Sequence, residues 1–339
     1  MVRGIVLRFW IQALACCGMM SCHSVYAQDS PMPAKAAEVT LARESRESLL
    51  ADRTSLIAQA PIVVEHDETA DYVRDYVRVQ WRSGDPIDLY IYSPPQVKNP
   101  PVVLYLYSYP ADGNKFLSTS WGKRAVSRGY AAVGFVSALT GARYHSRPMK
   151  QWFVSELQES LSVSVHDVQL ILDYLASRGD LDMGRVGIFG EGSGGTIAAL
   201  AASVDPRIQV ADLLNPWGDW PDWLSQSALV PAEERATYLT PQFLAKVKDF
   251  DPVKWLGKFP QKNLRLEQVL SDPVTPPLAK DKLAAAVAPE QVVRYKDVAA
   301  HELAWRATGT AGWIEARLAG FQPPEQGQPT ATGREAKPK

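Results

Sequence analysis

A serine hydroxyl set among glycines is the feature of this sequence most suited to chemistry. Gly190-Glu191-Gly192-Ser193-Gly194-Gly195 follows the apolar stretch Val186-Gly187-Ile188-Phe189 and precedes the Ala-rich segment from Thr196. Strand, glycine-dense turn and helix in that order can hold one side chain on a sharp bend, where a hydroxyl can attack a carbonyl. The same glycines do not suit a phosphate, because the Lys-Ser/Thr ending of a phosphate loop is missing. Cys16, Cys17 and Cys22 are the only cysteines, and all lie near the start of the chain. His66, His145 and His166 lack the spacing of a His-Glu-x-x-His site and read as structural. Neither a metal nor another cofactor is expected. Trp217, Trp220 and Trp223 form a second cluster. It is either an aromatic wall for a ligand, such as a sugar or aromatic ester, or a self-packed piece of core.

Placing these groups requires a scaffold, and hydrophobic periodicity outlines one. Val77, Val79 and Trp81 alternate with Arg78 and Gln80, and Ile87, Leu89 and Ile91 alternate with Asp88 and Tyr90. With Ser83-Gly84-Asp85-Pro86 between them, these predict a hairpin. Residues 101–107 are continuously apolar, as in a central strand covered on both faces. A helix near 116–128 and a strand over 130–136 follow. Leu161, Val165, Val168, Leu172 and Leu175 then mark one face of an amphipathic helix. Further strands are predicted at 185–189, 208–214, 264–270 and 291–295, with helices at 193–203 and 305–318. A hairpin entering such an alternation implies an α/β fold, a mostly parallel sheet with helices on both faces. Residues 215–260, which hold the tryptophans, read as a small cap insertion.

From the strand–turn–helix motif, the sequence resembles the α/β-hydrolase superfamily. It especially resembles the secreted esterases and peptidases near dienelactone hydrolases and prolyl oligopeptidases. The resemblance covers about residues 72–318. Ser271-Asp272-Pro273-Val274-Thr275-Pro276, directly after a strand, is similar to the acid loop of that superfamily. Ala300-His301-Glu302, between the last strand and the final helix, is similar to its histidine loop. The order elbow, Asp, His is the one that fold uses. The resemblance implies a serine hydrolase of small esters or amides. Ser193 would attack the carbonyl, His301 would take its proton, and Asp272 would orient and stabilise the imidazolium. Asp272 also fits a plain turn before Pro273, and His301 a surface histidine at a helix start. Asp167, in the helix before the elbow strand, matches a position where relatives use an Asp for packing or hydrogen bonding.

The elbow can be counted in two registers. The motif needs glycine two residues before and two after the nucleophile, because side chains there would clash. Centred on Gly192, the flanking residues are Gly190 and Gly194, but the nucleophile is absent. Centred on Ser193, they are Glu191 and Gly195, which puts a large charged residue in a cramped place. The first register is sterically better, and Gly tolerates a strained tip. Glu191 itself reads as a solvated loop carboxylate or as filler where substrate would sit. The loop that should supply oxyanion donors is altered too. Family members carry His-Gly there, whereas this chain has Tyr107-Ser108-Tyr109-Pro110, although backbone donors need no particular side chain. Both departures favour the alternative: a catalytically inactive pseudo-hydrolase that binds or scaffolds, with Gly192 in the nucleophile's place.

Composition bounds the remainder. The chain has 339 residues, 46% of them hydrophobic, enough for one large domain or two small ones. With 36 basic and 37 acidic residues and no basic block, it has no footprint for nucleic acid. Arg3 and Arg8, the apolar run that follows and Val25-Tyr26-Ala27 form a secretory signal peptide over 1–27, cleaved after Ala27. Its apolar run is short for a membrane span, so no stable span is expected after cleavage. Lipid attachment at Cys16 or Cys22 is the second reading. A secreted or periplasmic protein follows, cysteine-free once mature. Residues 28–60 read as an N-terminal helical arm, 61–320 as the hydrolase-like domain and 321–339 as a disordered tail.

Overall fold

Strand order in this protein follows from which segments are apolar on one face and which on two. The computed structural model describes residues 59–81, 85–110, 114–135, 153–308 and 311–321. The leader, most of the arm, the tail beyond Phe321 and Ser83-Gly84 of the hairpin turn lie outside the described residues.

The sheet has nine strands: β1 (Gln59–Glu68), β2 (Val73–Gln80), β3 (Ile87–Ser93), β4 (Pro101–Leu106), β5 (Ala131–Phe135), β6 (Asp182–Glu191), β7 (Ile208–Leu214), β8 (Leu264–Val269) and β9 (Val292–Tyr295). Their spatial order is β1-β2-β3-β5-β4-β6-β7-β8-β9. The first three strands and β5 pair antiparallel, and every pair from β5–β4 to β8–β9 is parallel. β4, the continuously apolar strand, lies near the middle and is buried along its whole length.

Helices cover both faces: α1 (Thr119–Val126), α2 (Leu157–Arg178), α3 (Ser193–Val204), α4 (Trp220–Gln226), α5 (Arg235–Tyr238), α6 (Pro241–Val247), α7 (Pro277–Ala285), α8 (Val298–Thr308) and α9 (Gly312–Leu318). Alternate side chains of β4 serve two cores. Val102, Leu104 and Leu106 join one made with α2, α3 and the Trp cluster. Val103, Tyr105 and Tyr107 join the other, made with Trp121 and Val126 of α1 and Ile314 and Leu318 of α9. Asp167 of α2 accepts a hydrogen bond from the Trp81 indole at 2.8 Å, which ties that helix to the end of β2. No helix among the described residues is long and apolar enough to cross a membrane.

Three details differ from the sequence-based expectations. β1 begins at Gln59, inside the stretch assigned to the helical arm, and runs along the sheet edge with Ile62, Val63 and Val64 exposed. Such an edge strand is not half-buried, so it carries no alternation to betray it. The closing helix over 305–318 is two helices, α8 and α9. His301 therefore stands inside α8 and not in a loop before the last helix.

Gly187 of β6 makes room for α9. A methyl added there would lie 2.3 Å from Ile314 Cγ2. Gly187→Ala is therefore expected to destabilise the fold by about 1–3 kcal/mol, measured by urea unfolding.

Candidate active site

Backbone crowding decides what the β6–α3 turn can present. A methyl added at Gly190 would lie 2.5 Å from Gly194 O, and one at Gly194 would lie 2.3 Å from Leu106 O. Between them Gly192 forms the tip, with φ 57° and ψ −120°, a conformation that strains any side-chain-bearing residue. Its N–H donates to Leu214 O at 2.9 Å, and its carbonyl accepts from Thr196 N–H at 3.1 Å. The tip is thus fastened to β7 on one side and to the first turn of α3 on the other.

The space a nucleophile would occupy is already filled. A methyl at Gly192 would lie 2.3 Å from Ser108 Oγ, 2.8 Å from Ser108 Cβ and 3.2 Å from Trp217 Nε1. Ser193 is the first residue of α3 and is fully buried. Its Oγ accepts from the Tyr109 backbone N–H at 2.8 Å, so a backbone donor of the loop after β4 is held by a side chain of the elbow. Tyr107 turns the other way and sits in the core on the α1 side, its hydroxyl accepting from Trp121 Nε1 at 2.7 Å.

The remaining candidates are not brought together. Asp272 Oδ1 accepts from Val274 N–H at 3.0 Å and Oδ2 from Thr275 N–H at 3.1 Å, so both oxygens cap the turn in which Asp272 sits. His301 packs its ring against Tyr295 and Trp305, with centroids 5.0 and 5.7 Å away. Its Nε2 is buried without a hydrogen-bond partner. Burial lowers its pKa, and the negative charges of Glu191 and Asp212 act against that shift. Among the described residues no hydrogen bond links Ser193, Asp272 and His301. Glu191 is half-exposed and pairs with Lys115 Nζ at 3.2 Å. Trp217, Trp220 and Trp223 are each 1% exposed or less; Trp217 stacks on Trp223 and Trp220 meets Trp223 edge to face, so they offer no face to a ligand. Among the described residues no group of three or more His, Cys, Asp or Glu is placed to hold a metal ion.

One cluster escaped the sequence reading. Asp212 on β7 and Glu267 on β8 are both buried, and Arg265 bridges them, 2.5 Å from Asp212 and 2.9 Å from Glu267. Tyr295 donates to Glu267 at 2.6 Å. Burial, with the Glu267 charge beside it, pushes the Asp212 carboxyl up to about 7. The available signal was Asp212 among the apolar residues that end β7 and Glu267 between Leu266 and Val269 on β8.

The sheet order and the elbow backbone define the class: the chain has the α/β-hydrolase fold. Within that class, the X-Pro dipeptidyl-peptidase family (S15 family) matches residues 83–247, slightly under half of the chain. Solved structures with the same fold include an acetyl xylan esterase from Paenibacillus sp. R4, 20% identical with a TM-score of 0.61, covering 80% of this chain and 92% of that one. Acetyl Xylan Esterase 1 from Thermoanaerobacterium sp. JW/SL YS485 is 13% identical, with a TM-score of 0.57 over 77% and 92% of the two chains. An S-formylglutathione hydrolase from Agrobacterium tumefaciens is 14% identical, with a TM-score of 0.54 over 76% and 99%. At these identities the likeness is one of fold. No curated protein matches the chain.

Two expectations follow. Gly194→Ala drives a methyl into backbone and should cost more than roughly 2 kcal/mol, whereas Gly257→Ala, 3.4 Å from its nearest neighbour, should change stability little; paired thermal melts compare them. For Asp212, the folded state holds a proton that the unfolded chain releases near 3.8. Stability should therefore fall as pH rises from about 4 to about 7, by up to roughly 1.4 kcal/mol per pH unit, and level off above. Urea titrations across that range should show the slope, and Asp212→Asn should flatten it.

Proposed function

We propose that this protein uses the α/β-hydrolase fold to bind and not to hydrolyse. The observation that carries the reading is the tip of the elbow: Gly192 holds the nucleophile's backbone conformation while the Ser108 hydroxyl fills the nucleophile's space. The surroundings agree with it. Ser193 Oγ is engaged by Tyr109 N–H, Asp272 caps its own turn, and His301 is packed among aromatic rings. Attack on a carbonyl needs a hydroxyl within reach of its base, and among the described residues no base is hydrogen-bonded to the buried Ser193 hydroxyl. The leader-like residues Arg3 to Ala27 support action outside the cytosol.

A second reading is a serine hydrolase of esters or amides acting through Ser193, Asp272 and His301. It is favoured by the names of the similar proteins, which are esterases, hydrolases and peptidases. Fold alone does not decide between the readings, since activity belongs to the site.

Fluorophosphonate labelling of the purified protein tests this directly. The expected result is no adduct on the native chain, with an adduct appearing in Gly192→Ser combined with Ser108→Gly, which frees the tip. An adduct on the native chain that disappears in Ser193→Ala would restore the triad reading. One that disappears in Ser108→Ala would make Ser108 the nucleophile, and would equally defeat the non-hydrolytic proposal.

A further inference from the structure

A cavity of about 680 Å³ opens on the sheet face opposite α3, between α1 and the α8–α9 pair. Its floor is Tyr105 and Tyr107, the side chains of the β4 segment that point away from the elbow helix. Trp121 of α1 and Trp305 of α8 line it as well. The volume is within the range of small-molecule sites, and aromatic rings on several sides suit a flat guest.

Two features within it suit a polar guest. Tyr105, 1% exposed as a whole, lines the cavity, and its hydroxyl is one of them. Burial raises that hydroxyl's pKa well above its ordinary value, so it remains a neutral donor. The rim is basic, and three of its cations are committed: Lys115 to Glu191 at 3.2 Å, Arg128 to Glu315 at 3.3 Å and Arg306 to Glu302 at 3.3 Å. Arg124 is not. It lines the same cavity with no carboxylate within 4.0 Å among the described residues. An uncommitted guanidinium presents a planar fork of donors that fits a carboxylate.

The geometry points to a binding site for a planar aromatic carboxylate, its acid group at Arg124 and its ring among Tyr105, Tyr107, Trp121 and Trp305. The site lies on the other face of the sheet from α3, so its occupancy does not require turnover at the elbow.

Fluorescence anisotropy of naphthoate titrated with the full chain tests the assignment, with naphthamide as the uncharged control. Saturable binding at one site is expected, weakened at least about tenfold in Arg124→Gln and in the amide control. Ala125→Phe, which fills the cavity, should abolish it with the native thermal melt retained. Binding that never saturates would overturn the assignment. So would equal affinity for acid and amide, or binding unchanged in both Arg124→Gln and Ala125→Phe.

Discussion

The carbonyl of Leu106 and the backbone of Gly194 approach so closely that no side chain fits between them, and much of this structure is arranged around that contact. It brings the C-terminal end of β4 against the first turn of α3, with the same turn hydrogen-bonded to β7. Two central strands and the helix that crosses them are thereby fixed relative to one another. The constraint acts through backbone alone. It needs glycine at 190 and 194 and a residue able to take positive φ at 192, but no hydroxyl. The turn's packing role is thus independent of any chemistry there, because packing and catalysis place their demands on different atoms.

The neighbouring polar groups show the same separation. A carboxylate that orients an imidazole must keep an oxygen available for it, yet both oxygens of Asp272 are held by amides of their own turn. An imidazole that shuttles protons must reach a hydroxyl, yet His301 is on α8 among aromatic rings. Tyr109 N–H, a donor beside the elbow, bonds to Ser193 instead of standing open. Each group is satisfied locally or left in apolar surroundings, and the nearby buried charge is gathered at Asp212, Arg265 and Glu267.

Most of the fold was legible because its strands are either continuous or alternating. Residues 101–107 and the Leu161-to-Leu175 stripe each announce their burial without help from the rest of the chain. The crowded backbone at Gly190, Gly192 and Gly194 was legible for a different reason, since glycine spacing reports such crowding directly. Pairings between distant residues were not. Lys115 and Glu191 are far apart in sequence, and nothing local to either predicts their ion pair. The division of the closing helix was marked only by Gly309 and Gly312, which a helical pattern can absorb. The two uses proposed for the tryptophans leave the same mark in sequence, and burial separates them: each ring is enclosed by the others and the core.

The outermost strand has a consequence for handling the protein. β1 carries Ile62, Val63 and Val64 in the open, the kind of border along which copies can zip together. The guards are acidic: Glu65, Asp67 and Glu68 follow immediately, and the first two engage Arg74 of β2. Mutual repulsion between such borders weakens in concentrated salt or in acid. Storage near neutrality in dilute buffer therefore keeps that margin closed to its own kind.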